Sequence, residues 1–348
     1  MRAFALLLAA LLPAAAAQAP LFADDAPLDL VLTFDVEAVT EDRSETPPWS
    51  PAVLTHTAPD GTETVLDLGV RTRGFYRLTY LDCDVPPLRL NIRRRAAGGS
   101  VFEGQDKLKL VTHCENRSER FQQYVLQEYL IYRAYALLTE ASFQTRLVRI
   151  TYRDAAGDRD DVTRYGFLIE DDDALAARLH GQIVERARIH PDATDRKQVA
   201  LMSLFQYMIG NTDWTVSTLH NVRLVYREDV AARLATAADR AESALVAVPY
   251  DFDWAGLIAT PYATPDPQLG IDSVRDRIYL GFCRTPEEFA AVVAHLRAHE
   301  QALYALFRDS PYLDDDVADR SVDFLTEFFE AVSTPRGIER ATRDCLGG

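Results

Sequence analysis

Two strongly apolar runs in this chain each end in acids. Residues 197–210 run into Asn211-Thr212-Asp213-Trp214, and residues 244–249 run into Tyr250-Asp251-Phe252-Asp253-Trp254. A carboxylate withdrawn from water is costly unless a hydrogen bond, a cation or a metal ion satisfies it. Any fold of this sequence therefore has to bring the ends of both runs to places where those acids are accommodated. Between them lies the pair His220-Asn221.

Around that segment the chain divides by pattern. Residues 28–39 alternate apolar and polar, the period of a half-buried strand. Residues 43–52 read as a loop. Strand-like runs follow at 52–57, 62–68, 88–92 and 107–111, with Pro59-Asp60-Gly61 supplying a turn between the first two. Residues 120–139 show Phe121, Val125, Tyr129, Tyr132 and Ala136 at helical spacing. Runs at 144–152 and 164–170 predict a hairpin turning near Gly157. The remainder reads as mostly helical: a core helix over 197–210, short strands at 221–226 and 244–249 around an alanine-rich insert at 228–242, then helices at 286–308, capped by Thr285, and 316–331. Strands first and helices after predict an α+β chain of two lobes around a cleft. The strand-rich N-lobe takes residues 20–170 and the mainly helical C-lobe 171–348.

The first nineteen residues have the form of a secretory signal peptide. Arg2 precedes an apolar run over residues 4–12, and small residues continue to Ala19. The run is short for a membrane span, so the expected mature protein is exported to a periplasmic or extracellular space, with no stable membrane insertion once the signal is cleaved. The four cysteines contain no C-x-x-C pair. In an oxidising compartment they are expected to form two disulfides, Cys83–Cys114 in the first lobe and Cys283–Cys345 in the second, with free buried thiols as the alternative. A net charge of −16 argues against nucleic acid as a partner.

The candidate chemistry comes from oxygen donors and cations. Asp213 follows a core helix, where a carboxylate is placed to accept the proton of a substrate hydroxyl; read alone, it is equally a turn residue. Asn221 offers a neutral amide oxygen to a metal. Asp251 and Asp253, two apart in an extended segment, face the same way, and two such charges repel unless a cation lies between them. Asp213, Asn221, Asp251 and Asp253 together form the oxygen set with which phosphoryl-transfer enzymes hold magnesium and position a nucleophile. In the first lobe, Lys107 and Lys109 alternate along one strand, and Glu128 on the following helix is placed to hold one of them against nucleotide phosphates; an edge strand protected by lysine is the alternative. Arg71, Arg73 and Arg77 are a second candidate phosphate-binding group. His295 and His299 lie four apart on a helix but lack the H-E-x-x-H order and an evident third ligand, and read as a surface stripe.

In order along the chain, RTRG, PLRLNI, the hinge-like stretch over residues 165–173, GNTDW…HN and PYDFDW resemble the CotH-like kinase family of spore coats. The GN-x-D…N and YD pieces are also similar to the catalytic core of HipA-type kinases. The resemblance spans roughly residues 70–254. It implies a two-lobe protein-kinase-like fold, ATP with Mg2+ or Mn2+, and phosphoryl transfer to a protein hydroxyl. By position it makes Asp213 the catalytic aspartate, Asn221 and Asp251 metal ligands, and puts Glu170 near the adenine. No G-x-G-x-x-G loop is present, and the step from Asp213 to Asn221 is longer than in ordinary kinases. A non-catalytic binding or structural protein of the cell envelope, and a metal-dependent phosphohydrolase using Asp251 and Asp253, are the alternatives.

Overall fold

Alternating residues in the first half of the chain become a closed barrel in the computed structural model, which describes residues 20–347 apart from 45, 75, 191–192 and 233–243. The strands are β1 (Leu28–Phe34), β2 (Ser50–Thr57), β3 (Glu63–Thr72), β4 (Leu88–Ile92), β5 (Lys107–Val111), β6 (Thr145–Asp154) and β7 (Val162–Ile169), ordered β1-β2-β3-β4-β5-β7-β6 around the ring. Leu28, Leu30, Leu32 and Phe34 of β1 are buried while the residues between them are not. Leu88, Leu90 and Ile92 of β4 repeat that pattern. These side chains fill the barrel as a core of their own. Antiparallel β6 and β7 form the expected hairpin. The ring closes where β1 pairs in parallel with β6, Leu28 opposite Val148 through to Phe34 opposite Asp154.

The first strand is shorter than its alternation predicts. Asp35 accepts a hydrogen bond from the Ala38 N–H and caps a short helix, α1 (Val36–Thr40). Helix α2 (Tyr76–Tyr80) follows β3. The long helix α3 (Glu119–Leu138) starts at the Ser118 cap and is buried on nearly every side, through Tyr124, Val125, Leu126, Tyr129, Leu130 and Ile131 among others. A helix so enclosed occupies the centre of a fold.

Helix α4 (Asp172–Arg178) leads to a second sheet of order β10-β9-β8, built from β8 (Gly181–Val184), β9 (Val222–Arg227) and β10 (Leu245–Pro249). Between β8 and β9 lies α5 (Arg196–Ile209), the predicted core helix, and the short α6 (Glu228–Ala231) follows β9. The chain ends in α7 (Pro286–Ala298), α8 (Glu300–Arg308), α9 (Asp315–Ala331) and α10 (Pro335–Thr342). Thr285 and Glu288 form a full capping box at the start of α7. The single helix expected over 286–308 is broken at His299, which leaves helical geometry at φ −106°, ψ 3°.

The two-lobe protein-kinase-like plan, with a strand-rich N-lobe and a mainly helical C-lobe, is not adopted. The first strands close into a barrel instead of an open sheet, and a second sheet accompanies the later helices. One apolar core also runs without a break from Val111, Leu147 and Phe167 of the barrel strands, through α3, to α5, β9, β10 and α9. Alternation in a sequence shows that a segment is a strand; it does not say which distant strand it will pair with, and the β1–β6 pairing is what turns a sheet into a ring.

Both expected disulfides are formed, Cys83–Cys114 and Cys283–Cys345, and no described cysteine is free. They are compatible with an oxidising compartment. Among the described residues no helix is long and apolar enough to cross a membrane. The signal-peptide reading of residues 1–19 and most of the 228–242 insert fall outside the described residues.

Candidate active site

Helix α5 stops at Gly210, whose φ of +67° provides the left-handed cap. A side chain there would approach Phe324 Cζ to 3.0 Å and Val274 O to 3.2 Å, a second reason for glycine. The next residue, Asn211, is almost fully buried and sets the turn. Its Oδ1 accepts from the Asp213 N–H at 3.0 Å, its Nδ2 donates to Gln206 Oε1 at 3.1 Å, and its carbonyl accepts from Trp214 Nε1 at 3.1 Å. Asp213 is thereby held at the end of a rigid element. Thr215 and His220 then exchange two backbone hydrogen bonds of 3.0 Å, closing the loop between them. That closure accounts for the long step from Asp213 to Asn221 and returns the chain to the acid.

His220 Nε2 lies 2.8 Å from Asp213 Oδ1. The hydrogen bond with Asp213 holds the imidazole above its ordinary pKa against partial burial. Asn221 Nδ2 donates to the Asp213 carbonyl at 2.8 Å and to its Oδ2 at 2.9 Å, which leaves the Asn221 Oδ1 with no partner among the described residues. Asn221 stands at φ +51° and Asp251 at φ +63°. Left-handed non-glycine residues are uncommon, and a fold retains such strain chiefly where it serves a site.

Asp251 and Asp253 follow β10 and have opposite fates. The Asp251 N–H donates to Tyr132 Oη at 2.8 Å, but its carboxylate has no hydrogen bond or ion pair among the described residues. Burial, then the Asp253 charge, push its pKa up to about 6, against the pull of Arg73 and Arg77. Asp253 Oδ2 accepts from Arg77 Nε at 3.0 Å, Arg77 Nη2 at 2.9 Å and the Tyr262 hydroxyl at 3.0 Å. Arg77 also reaches Glu128 Oε2 at 3.4 Å. Enclosed in α3, Glu128 is raised to about 8, chiefly by burial. The segment carrying Arg73, Tyr76 and Arg77 is pinned at its start by the Arg73 N–H to Pro87 carbonyl bond of 2.8 Å and beyond its end by the Cys83–Cys114 disulfide.

The structure brings Asp213, Asn221, Asp251, Asp253, Glu128 and Arg73 onto the wall of one cavity of about 320 Å³. Arg73 makes no side-chain hydrogen bond or ion pair among the described residues. It is a free cation facing a surplus of acid. Among the described residues, His, Cys, Asp and Glu form no group of three or more poised to hold a metal; Asn221 adds a neutral amide oxygen to the same cavity wall.

The other predicted contacts are not made. Glu128 is held by Arg77, not by Lys107 or Lys109, because both lysines lie away from this cavity. Lys109 is buried 2.5 Å from Asp172, with its ammonium against the faces of Phe143 and Tyr250. Desolvation lowers its pKa to about 8. Asp172 also accepts from Arg223 Nε at 2.9 Å. Lys107 is half-buried on β5. Both oxygens of Glu170 are occupied by Arg178, at 3.0 and 2.9 Å, and one also accepts from the Gln144 N–H, so Glu170 is a structural anchor. Arg71 stacks on Trp49 at 4.4 Å. The rings of His295 and His299 bond to backbone carbonyls of Leu138 and His295.

Arg77, expected with Arg71 and Arg73 to meet phosphate, instead carries both Asp253 and Glu128. His220, given no role from the sequence, sits on Asp213, and its signal is its place beside Asn221. Comparison with protein-family models and with curated proteins gives no match for this chain.

Proposed function

We propose that the protein is an exported phosphotransferase that uses Mg-ATP, or its manganese complex, to phosphorylate a hydroxyl of a protein substrate. The observation that carries this reading is the Asp251 carboxylate, unpartnered on a cavity wall it shares with Asp213, Asn221 and the uncommitted Arg73. A buried carboxylate with a raised pKa and no hydrogen-bond donor has affinity left for a cation. The free Asn221 Oδ1 suits the same hard ion. The two donors therefore fit magnesium, with Asp253 Oδ1 as a further oxygen; the metal would supply charge neutralisation for the phosphates.

This chain's own residues account for the rest. Arg73 is placed to hold a phosphate oxygen. Asp213 is the acceptor for the substrate hydroxyl's proton, oriented by Asn221 and His220. Arg77 and Glu128 keep Asp253 in place. The phosphohydrolase alternative draws on the same Asp251 and Asp253 carboxylates and is told apart by its outcome: it would give phosphatase activity without nucleotide.

Calorimetry of the mature protein with ATP, in the presence and absence of magnesium, tests the proposal. Binding is expected only with the metal, and Asp251→Ala is expected to remove it. Metal-independent binding, or undiminished binding by Asp251→Ala, would overturn it.

A further inference from the structure

The outer wall of the barrel carries a groove of about 620 Å³ that shares no lining residue with the candidate active site. Strand register explains what faces it. Side chains alternate across a strand, and Leu32, Leu68 and Leu90 belong to the barrel core, so the residues beside them point outward. Thr33 lies opposite Val53, and Val53 opposite Asp67. In the next row Pro51 lies opposite Gly69, and Gly69 opposite Asn91. These two outward rows cross β1, β2, β3 and β4 and line the groove, with Arg93 just beyond the end of β4.

Trp49 lies along the same face and is half-buried. The Arg71 guanidinium covers its indole at 4.4 Å and is fixed by the Pro47 carbonyl at 3.3 Å. Arg71 does not line the groove and Trp49 does, so the groove meets the indole on the side that Arg71 leaves open. Gly69 makes room for the ring: a Cβ there would fall 3.2 Å from Trp49 Cε3 and 3.3 Å from its Cβ. Glycine inside a strand weakens it and marks a place of close approach. The polar groups around the indole are uncommitted. The side chains of Thr33, Asp67, Asn91 and Arg93 make no hydrogen bond or ion pair among the described residues, and neither does the Trp49 indole N–H.

We infer that this groove binds a neutral saccharide, with one sugar ring laid against the Trp49 indole and its hydroxyls shared among Asp67, Asn91 and Arg93. The kinds of group present select that ligand. Asp67 only accepts hydrogen bonds, Arg93 only donates, and Asn91 and Thr33 do both. One carboxylate and one guanidinium cancel, so the lining favours neither an anion nor a cation. A wholly apolar ligand would take these polar groups out of water and give nothing back. A sugar ring has an apolar face for the indole and hydroxyls that both donate and accept. Tryptophan offers it a large, rigid surface with little rotational freedom to lose, and four paired strands hold the polar groups in place before binding.

Calorimetry of the full mature chain with maltotriose, cellotriose and triacetylchitotriose, without nucleotide or divalent ions, tests the inference. At least one of the three is expected to bind, about tenfold or more weakly to Trp49→Ala and to Asp67→Asn. Asp67 is exposed and Asp67→Asn keeps its size, so that variant should melt at the wild-type temperature and report on binding even if Trp49→Ala loosens the barrel wall. Asp251→Ala should bind the saccharide as the wild type does, because the two cavities have no residue in common. The inference is overturned if none of the three binds, if either groove variant binds like the wild type, or if Asp251→Ala removes binding. Displacement of the saccharide by sodium phosphate at constant ionic strength would make the groove an anion site and would overturn it too. None of these outcomes depends on phosphotransfer.

Discussion

Two clusters of buried charge lie between the barrel and the second sheet, and they are balanced in opposite ways. Around Asp172, every charge has a partner: Lys109 and Arg223 share the acid, and the Tyr250 hydroxyl accepts from Arg223 at 2.7 Å. The nearby Glu170–Arg178 pair is equally complete. Around Asp251 the balance fails. Three aspartates and Glu128 face Arg73, Arg77 and His220; the central carboxylate has no donor, and Arg73 has no acceptor. A saturated cluster holds elements together, whereas an unsaturated one has affinity left for something else. By that criterion Lys109 and Glu170, which the motifs favoured for nucleotide contact, belong to the scaffold, and Arg73 belongs to the site.

The sharpest way to break this contrast is to remove its central acid. Asp251→Ala should lower magnesium-dependent nucleotide affinity by about a hundredfold or more, as expected when a principal metal ligand is lost, read by calorimetry. In the saturated cluster the effect should fall on stability. Asp172→Ala leaves Lys109 and Arg223 together without their acid, and denaturant unfolding is expected to show a loss of about 3–5 kcal/mol while the residues around Asp251 stay in place.

A smaller effect of opposite sign is expected for Asp251→Asn without metal. The folded-state pKa of Asp251 is raised from 3.8 to about 6. Its contribution to stability is therefore complete below pH 4 and is lost as pH rises through 6. Glu128, raised to about 8, extends the same decline to higher pH. Metal-free protein should thus lose stability between pH 4 and 8, and Asp251→Asn should recover about 1–3 kcal/mol near pH 8. Added magnesium should do the same for the wild type and nothing for the variant. A flat pH–stability curve for metal-free wild type would refute the unsatisfied-acid description. The smallest change is expected at Lys107, outside the cavity and without an ion pair among the described residues; Lys107→Ala should alter stability and nucleotide affinity by no more than about 0.5 kcal/mol.

Much of the local structure was legible beforehand because it is written in neighbouring residues. The β6–β7 hairpin, the α5 core helix, the Thr285 cap and both disulfides match their expected places. Of the candidate site, the oxygen donors Asp213, Asn221, Asp251 and Asp253 do meet at one cavity. Their cation partners were misjudged. Arginine and lysine have long side chains and reach across elements, so strand position does not reveal which acid each will meet. Lys109 went to α4, and Arg77, from a five-residue helix, went to both Glu128 and Asp253.

By itself the sequence determined several local elements, through periodicity and capping, among them the α5 core helix, the Thr285 cap and the β6–β7 hairpin, and which stretches bring acids to the ends of apolar runs. It also determined the loop chemistry of Gly210-Asn211-Thr212-Asp213, whose bonds are nearly all local. Only the tertiary structure decided that β1 would close on β6 to make a barrel, that one core would run across both halves of the chain, and that Asp253 would be neutralised while Asp251 was not. Pairings of that kind join residues far apart in the chain, and their free energy depends on burial and on which charges are already spoken for, quantities that exist only once the chain has folded.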